Sequence, residues 1–244
     1  FISNMCTINH DKKAIFINIP KTGRTYVSIN LVKHYGFTEY LNQRPDHKEY
    51  CDTKQQLGFF NKKKGILQYY KTSPELNKIM GMDDEKWNTY TKFCFVREPF
   101  ERSLSAYNYI QSTQSLEKLI EHNKTKQVSR LDFDKFVELY NYTDDFTYMH
   151  AFMPQYENMI DEKGNIFMTY IGSFDNLEED FQHILNLLGI FDIVHEKTHL
   201  NVVNYEKNIN MKQKSIDIIR MLYHKDFENV EIYNSLRPLY NKLS

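Results

Sequence analysis

Ala14-Ile15-Phe16-Ile17-Asn18-Ile19 is a short apolar run stopped by Pro20. A run of that length predicts a buried strand, because a buried helix would need more residues. After Lys21-Thr22-Gly23-Arg24-Thr25, apolar side chains fall at Tyr26, Ile29, Leu31 and Val32, and Gly36 comes next. That spacing predicts an amphipathic helix, capped near its start by a hydroxyl residue and closed by glycine. The unit reads as strand, phosphate-sized loop, helix. Lys92-Phe93-Cys94-Phe95-Val96 repeats the strand pattern and leads into Arg97-Glu98-Pro99-Phe100, after which Leu104, Tyr107 and Tyr109 predict a helix from Glu101 to about Gln111. Ile166 to Ile171 predicts a third core strand. Further helices are expected over Pro74 to Met80, Leu116 to Ile120, Phe133 to Tyr140, Leu177 to Leu188 with Gly189 closing it, and Ser215 to Tyr223.

Residues 37–70 are polar without a sustained period, so they are assigned to loops with short helical pieces. The span 37–73 is thus the expected insertion or acceptor-facing region. Strands alternating with helices imply an α/β fold with a central, mostly parallel sheet flanked by helices. No Pro/Gly/Ser-rich linker divides the 244 residues, which are read as one domain over 1–244 with its core at about 14–233.

Composition narrows the function classes. With 31 basic against 32 acidic side chains, the net charge of −1 lacks the basic excess of a dedicated nucleic-acid binder. Mean hydropathy is −0.62. No apolar run approaches the ~18 residues of a membrane span, so no membrane contact is expected within this chain. Because the first residue is Phe1, a signal or anchor removed from the front is an open expectation. The three cysteines, Cys6, Cys51 and Cys94, include no CxxC pair, and no metal-ligand cluster stands out. Cys94, inside an apolar strand, reads as a buried thiol, and Cys6 and Cys51 are left as a candidate pair.

The loop after the first strand does not fit GxxxxGK[ST], yet it holds the ingredients of an anion site. These are main-chain N–H groups at a helix N-terminus, the close approach allowed by Gly23, the hydroxyls of Thr22 and Thr25, and the Lys21 cation. A tight turn with a solvated lysine is the plain alternative. In the second loop Arg97 ends a strand and Ser105 lies eight residues on, so a guanidinium and a hydroxyl can serve a second phosphate at the carboxyl edge of the sheet. The plain alternative there is an ion pair of Arg97 with Glu98 or Glu101 and an ordinary helix serine.

Ile19-Pro20-Lys21-Thr22-Gly23-Arg24-Thr25 resembles the 5′-phosphosulfate loop of sulfotransferases, and the segment from Phe95 to Tyr107, FVREPFERSLSAY, resembles their 3′-phosphate segment. The resemblance is closer to the Golgi-type carbohydrate enzymes than to the cytosolic phenol and steroid enzymes. Pro154-Gln155, the block from Tyr170 to Leu177 with Asp180-Phe181, and Tyr223 with Asp226-Phe227 extend it over most of residues 14–233. It implies a P-loop-like sulfotransferase fold and transfer of a sulfuryl group from 3′-phosphoadenosine 5′-phosphosulfate to an acceptor hydroxyl or amine, leaving the 3′,5′-bisphosphate and requiring no metal. Lys21 would stabilise the departing phosphate. Thr22, Gly23, Arg24, Thr25 and Tyr26 would surround the 5′-phosphate, Arg97 and Ser105 would hold the 3′-phosphate, and Phe174 would either stack on adenine or serve as core.

Two departures from the family bear on the chemistry. Arg24 stands where many members carry a small residue, and it either adds a phosphate contact or faces solvent. Tyr69 and Tyr70 stand near where members commonly place a histidine base, and a phenol with a pKa near ~10 is a poor base at neutral pH. His47 in Asp46-His47-Lys48-Glu49 is the expected replacement, with His150 and Glu49 as alternatives. A carbohydrate acceptor follows from the resemblance, as does a Golgi or secretory location; a cytoplasmic one is the alternative. Two other functions stay open at this point: a non-catalytic anion or glycan-binding module on the same fold, and a P-loop nucleotide kinase.

Overall fold

Strands β1 (Cys6–Asn9) and β2 (Ala14–Ile17) form an antiparallel hairpin, with Thr7 opposite Phe16. The structure is a computed structural model that describes residues 6–40, 77–78, 80–112, 132–142, 153–161, 163–192 and 211–228. Helix α1 (Arg24–His34) comes after β2, and β3 (Thr38–Tyr40) adds antiparallel to the outer edge of β1. Helix α2 (Asp84–Thr89) precedes β4 (Thr91–Val96), and α3 (Pro99–Ser112) succeeds it. Beyond α4 (Phe133–Tyr142) and a short 3-10 turn at Tyr156–Asn158 comes β5 (Tyr170–Ser173), then α5 (Leu177–Leu187) and α6 (Gln213–Leu222).

The strand order is β3-β1-β2-β4-β5. The parallel part of the sheet is β2-β4-β5, with Phe16 beside Phe93 and Val96 beside Ser173. The sheet is therefore mixed, since β1 and β3 add an antiparallel edge that the alternation of apolar runs did not reveal. Thr38–Tyr40 also places a strand where loops and helical pieces were expected. The third core strand lies later than the Ile166–Ile171 expectation: Ile166 makes an isolated bridge to Ile160, and pairing with β4 begins at Tyr170. Gly172 sets that register, because a Cβ there would collide with the Phe95 ring. Of the remaining expected helices, Leu116–Ile120 and most of Pro74–Met80 lie outside the described residues.

Alternation in the strands divides the core by face. Ala14, Phe16, Phe93 and Phe95 pack under α1 and α5 with Val27, Leu31, Phe181, Ile184 and Leu185. Ile15, Ile17, Cys94 and Val96 turn to the other face with Cys6, Ile8, Trp87 and Met159. A third cluster joins α3, α4 and α6 through Leu104, Phe136, Val137, Ile219 and Tyr223. Cys6 and Cys94 are buried free thiols, and Cys51 lies outside the described residues. Among the described residues no helix is long and apolar enough to cross a membrane.

Candidate functional site

Because β2, β4 and β5 run parallel, their carboxyl ends meet at one edge, where an α/β sheet presents its ligand sites. The segments leaving that edge are Pro20–Gly23, Arg97–Glu98 and the 3-10 turn Phe174–Asn176. All three are within reach of one another. A Cβ on Gly23 would stand 3.2 Å from Phe174 Cδ2 and 2.6 Å from Leu177 Cδ2, and the Arg97 guanidinium lies 4.0 Å from the centre of the Phe174 ring.

The first loop is shaped by two left-handed residues, Lys21 at φ 70 and Gly23 at φ 84. Glycine adopts that region freely, whereas a lysine there carries a backbone cost of order 1–3 kcal/mol that the fold must offset. No side chain caps α1: Gly23 is its N-cap residue, and the Thr22 hydroxyl instead donates to the Ile19 carbonyl at 2.9 Å. The expected hydroxyl cap is thus replaced by a bond inside the loop, so Thr22 holds the turn closed. At the other end Gly36 at φ 68 closes α1 as expected, with the Phe37 N–H donating to Leu31. Arg24 and Thr25 occupy the first turn of α1, and Tyr26 packs edge-on against Phe181 at 5.9 Å. Burial and the nearby Glu178 push the Tyr26 phenol up to about 12, which keeps it a hydroxyl donor at neutral pH.

Lys21 is the electrostatic centre. Its Nζ sits 4.3 Å from the centre of the Tyr109 ring. Burial, then repulsion from Arg97, Arg24 and Arg102, holds its ammonium down at about 8. Four cations thus converge on one sheet edge, and their mutual repulsion favours an anion there.

In the second segment the Glu98 carboxylate accepts from the Glu101 N–H at 2.8 Å and so starts α3. Arg97 is 6% exposed. Its guanidinium stacks on Phe174 and donates from Nη2 to Glu101 Oε2 at 3.2 Å. The ion pair anticipated as the plain reading is therefore present together with the site geometry. Glu101, Ser105 and Tyr109 succeed one another at one-turn spacing along α3, and since Glu101 meets Arg97 and Tyr109 meets Lys21, half-buried Ser105 lies between the two loops. Phe174, half-buried, touches both loops rather than disappearing into the core.

Arg102 was not anticipated. At 2% exposed it donates from Nε to the Pro20 carbonyl at 3.1 Å and from Nη2 to the Met153 carbonyl at 2.8 Å. Its sequence signal is its place in the Phe95–Tyr107 segment, five residues after Arg97 on the predicted helix. Of the other expected site residues, His47, with its alternatives His150 and Glu49, lies outside the described residues, as do Tyr69 and Tyr70. No group of three metal-ligating side chains occurs among the described residues.

Residues 4–233 match the sulfotransferase family, and the chain belongs to it. No curated protein and no solved structure matches the chain. An α/β sheet with two cation-bearing loops at its carboxyl edge is thus the frame of a sulfuryl-transferring enzyme.

Proposed function

We infer that the chain transfers the sulfuryl group of 3′-phosphoadenosine 5′-phosphosulfate to a hydroxyl, or an amine, of a carbohydrate acceptor. The observation that carries this reading is the convergence of Lys21, Arg24, Arg97 and Arg102 around a left-handed glycine loop, with the Phe174 ring between the loops. A donor with phosphates at both ends of a ribose matches two separate cation-bearing loops beside an aromatic ring. Gly23 and the N-terminus of α1, with Arg24, Thr25 and Tyr26, would receive the 5′-phosphate. Arg97 and Ser105 would receive the 3′-phosphate, and Phe174 would lie by the base. Thr22, its hydroxyl proton engaged by Ile19, would contribute its main chain.

In the transfer the acceptor oxygen bonds to sulfur as the bond from sulfur to the phosphate oxygen breaks, and charge collects on that oxygen. Lys21 stabilises it and, with an ammonium at about 8, gives up a proton more readily than an ordinary lysine. The acceptor proton passes to a base, for which His47 is proposed. No residue of the site needs a metal for this. A carbohydrate acceptor and a Golgi or secretory location rest on the motif resemblance.

The test is incubation with the phosphosulfate donor and a panel of glycan acceptors, reading release of adenosine 3′,5′-bisphosphate and acceptor mass. Sulfated glycan is expected from the native chain and none from Lys21→Met. Donor binding without sulfation of any acceptor would mark a non-catalytic binding module instead.

A further inference from the structure

The Met153–Tyr156 segment is tied to the second loop through the buried Gln155 and to the first through Arg102, which bonds the Met153 carbonyl. Gln155 is 0% exposed, and its side-chain amide pairs with the main chain of Arg97 in both directions. Gln155 Oε1 accepts from the Arg97 N–H at 2.9 Å, and Gln155 Nε2 donates to the Arg97 carbonyl at 2.9 Å. Arg97 lies just past the end of β4, where the ladder to β5 stops at Val96. The Gln155 amide thus takes the place of a neighbouring strand for one residue, and that residue carries the guanidinium of the second loop.

The amide is itself fixed from behind. The Gln155 and Tyr156 N–H groups donate to the two oxygens of Asp226, at 2.8 and 2.7 Å. Asp226 is 1% exposed, and a carboxylate so buried persists only with partners that satisfy it. Arg102, which bonds Met153 and Pro20, ties the same segment to the first loop.

We propose that Gln155, anchored by Asp226, is a positioning residue that aims Arg97 and thereby sets the preference for a ligand bearing a 3′-phosphate. This rests on the reading of Arg97 as the 3′-phosphate site. Asp226 and Gln155 need not touch the ligand: they fix the Arg97 backbone, while Phe174 and Glu101 hold its head. A bidentate contact tolerates little displacement, so freeing the backbone weakens the 3′-phosphate contact and leaves the first loop largely intact.

The experiment is calorimetric titration with adenosine 3′,5′-bisphosphate and with ADP, for the native chain, Gln155→Met and Gln155→Glu. Gln155→Met keeps the volume and loses both hydrogen bonds, so bisphosphate affinity is expected to fall about tenfold with ADP affinity within about twofold of native. Gln155→Glu supplies a rescue, because burial at this fully enclosed position raises the carboxyl's pKa and a protonated carboxyl offers the same donor and acceptor as the amide. Relative to the native chain at each pH, it should keep the preference at about pH 6 and lose it at about pH 9. If the native chain prefers neither ligand, the site reading falls and the proposal with it. If the native chain prefers the bisphosphate and Gln155→Met does so equally, the proposal alone falls. It falls too if Gln155→Met loses both ligands alike, which is a general structural defect. Should Gln155→Met not fold, the pH comparison with Gln155→Glu decides, and a preference that does not change with pH relative to native overturns the proposal.

Discussion

Replacing Lys21 by methionine should make the ligand-free protein more stable while abolishing transfer. The side chain is lowered from 10.5 to about 8 by burial and by three nearby guanidinium groups, so the folded state carries a cost for its charge. At ~1.4 kcal/mol for each pH unit of lowering, the ceiling is about 3 kcal/mol, and solvent screening near the site mouth reduces this to about 1–2 kcal/mol. For a chain of 244 residues that corresponds to a rise in Tm of about 2–8 °C. The sign comes from linkage. Below about pH 8 the lysine is charged in both states and the full cost is present; between about 8 and 10.5 the unfolded chain holds the extra proton, so native stability climbs; above that the cost is gone. Methionine keeps the stem volume and the left-handed backbone, so the difference in Tm between variant and native chain isolates the charge. Differential scanning calorimetry of both proteins should show the variant ahead at about pH 7 and the gap closing towards pH 10. A variant that melts lower at about pH 7, or a gap independent of pH, would refute the reasoning.

Other perturbations have equally definite outcomes. Arg97→Lys replaces a planar fork with a point charge, and its affinity for adenosine 3′,5′-bisphosphate should drop about tenfold or more towards that for ADP, as read by calorimetric titration. Gly23→Ala meets Leu177 Cδ2 at 2.6 Å and forces an L-residue to φ 84, so chemical denaturation should show a loss of about 2 kcal/mol together with weakened ligand binding. Glu157 is pushed up to about 7 by burial and by the neighbouring Asp226. Its folded form therefore holds a proton longer than the unfolded chain, and stability is lost as pH rises from about 4.5 to about 7. Glu157→Gln should accordingly melt higher than the native chain at about pH 8 and equally at about pH 4.

The strand, loop and helix around Lys21 were legible because Pro20 ends an apolar run, Gly23 marks the turn into the helix and Gly36 marks its end. The same holds for β4 and Arg97, where a strand running into a charged residue and a proline fixes the site at the sheet edge. The antiparallel edge was hidden because Thr7 and Asn9 interrupt β1 and β3 is three residues with no buried side chain. The roles of Arg102 and Gln155, although both lie in segments that carry the resemblance, were hidden for another reason. Their partners lie 82 and 58 residues away, and no local period records such pairings. Arg102 reads in sequence as one more charge on a helix, yet it is among the largest fully buried side chains. Its burial is tolerated because carbonyls accept from it and the Asp226 carboxylate lies nearby. Ile166–Ile171 misled as a strand because apolarity continues through it, while the register is set by the fit of Gly172 to Phe95.

The central claim is that the two loops together read a nucleotide phosphorylated at both the 3′ and 5′ positions. The most direct measurement is the thermal shift of the native chain with adenosine 3′,5′-bisphosphate against ADP. At one hundred times Kd, linkage gives about 2.7 kcal/mol, or several degrees for a protein of this size. A shift of that order with the bisphosphate, and a clearly smaller one with ADP at equal concentration, is the expected result. Equal shifts, or none with the bisphosphate, would contradict the assignment of Arg97 and Ser105 to a 3′-phosphate.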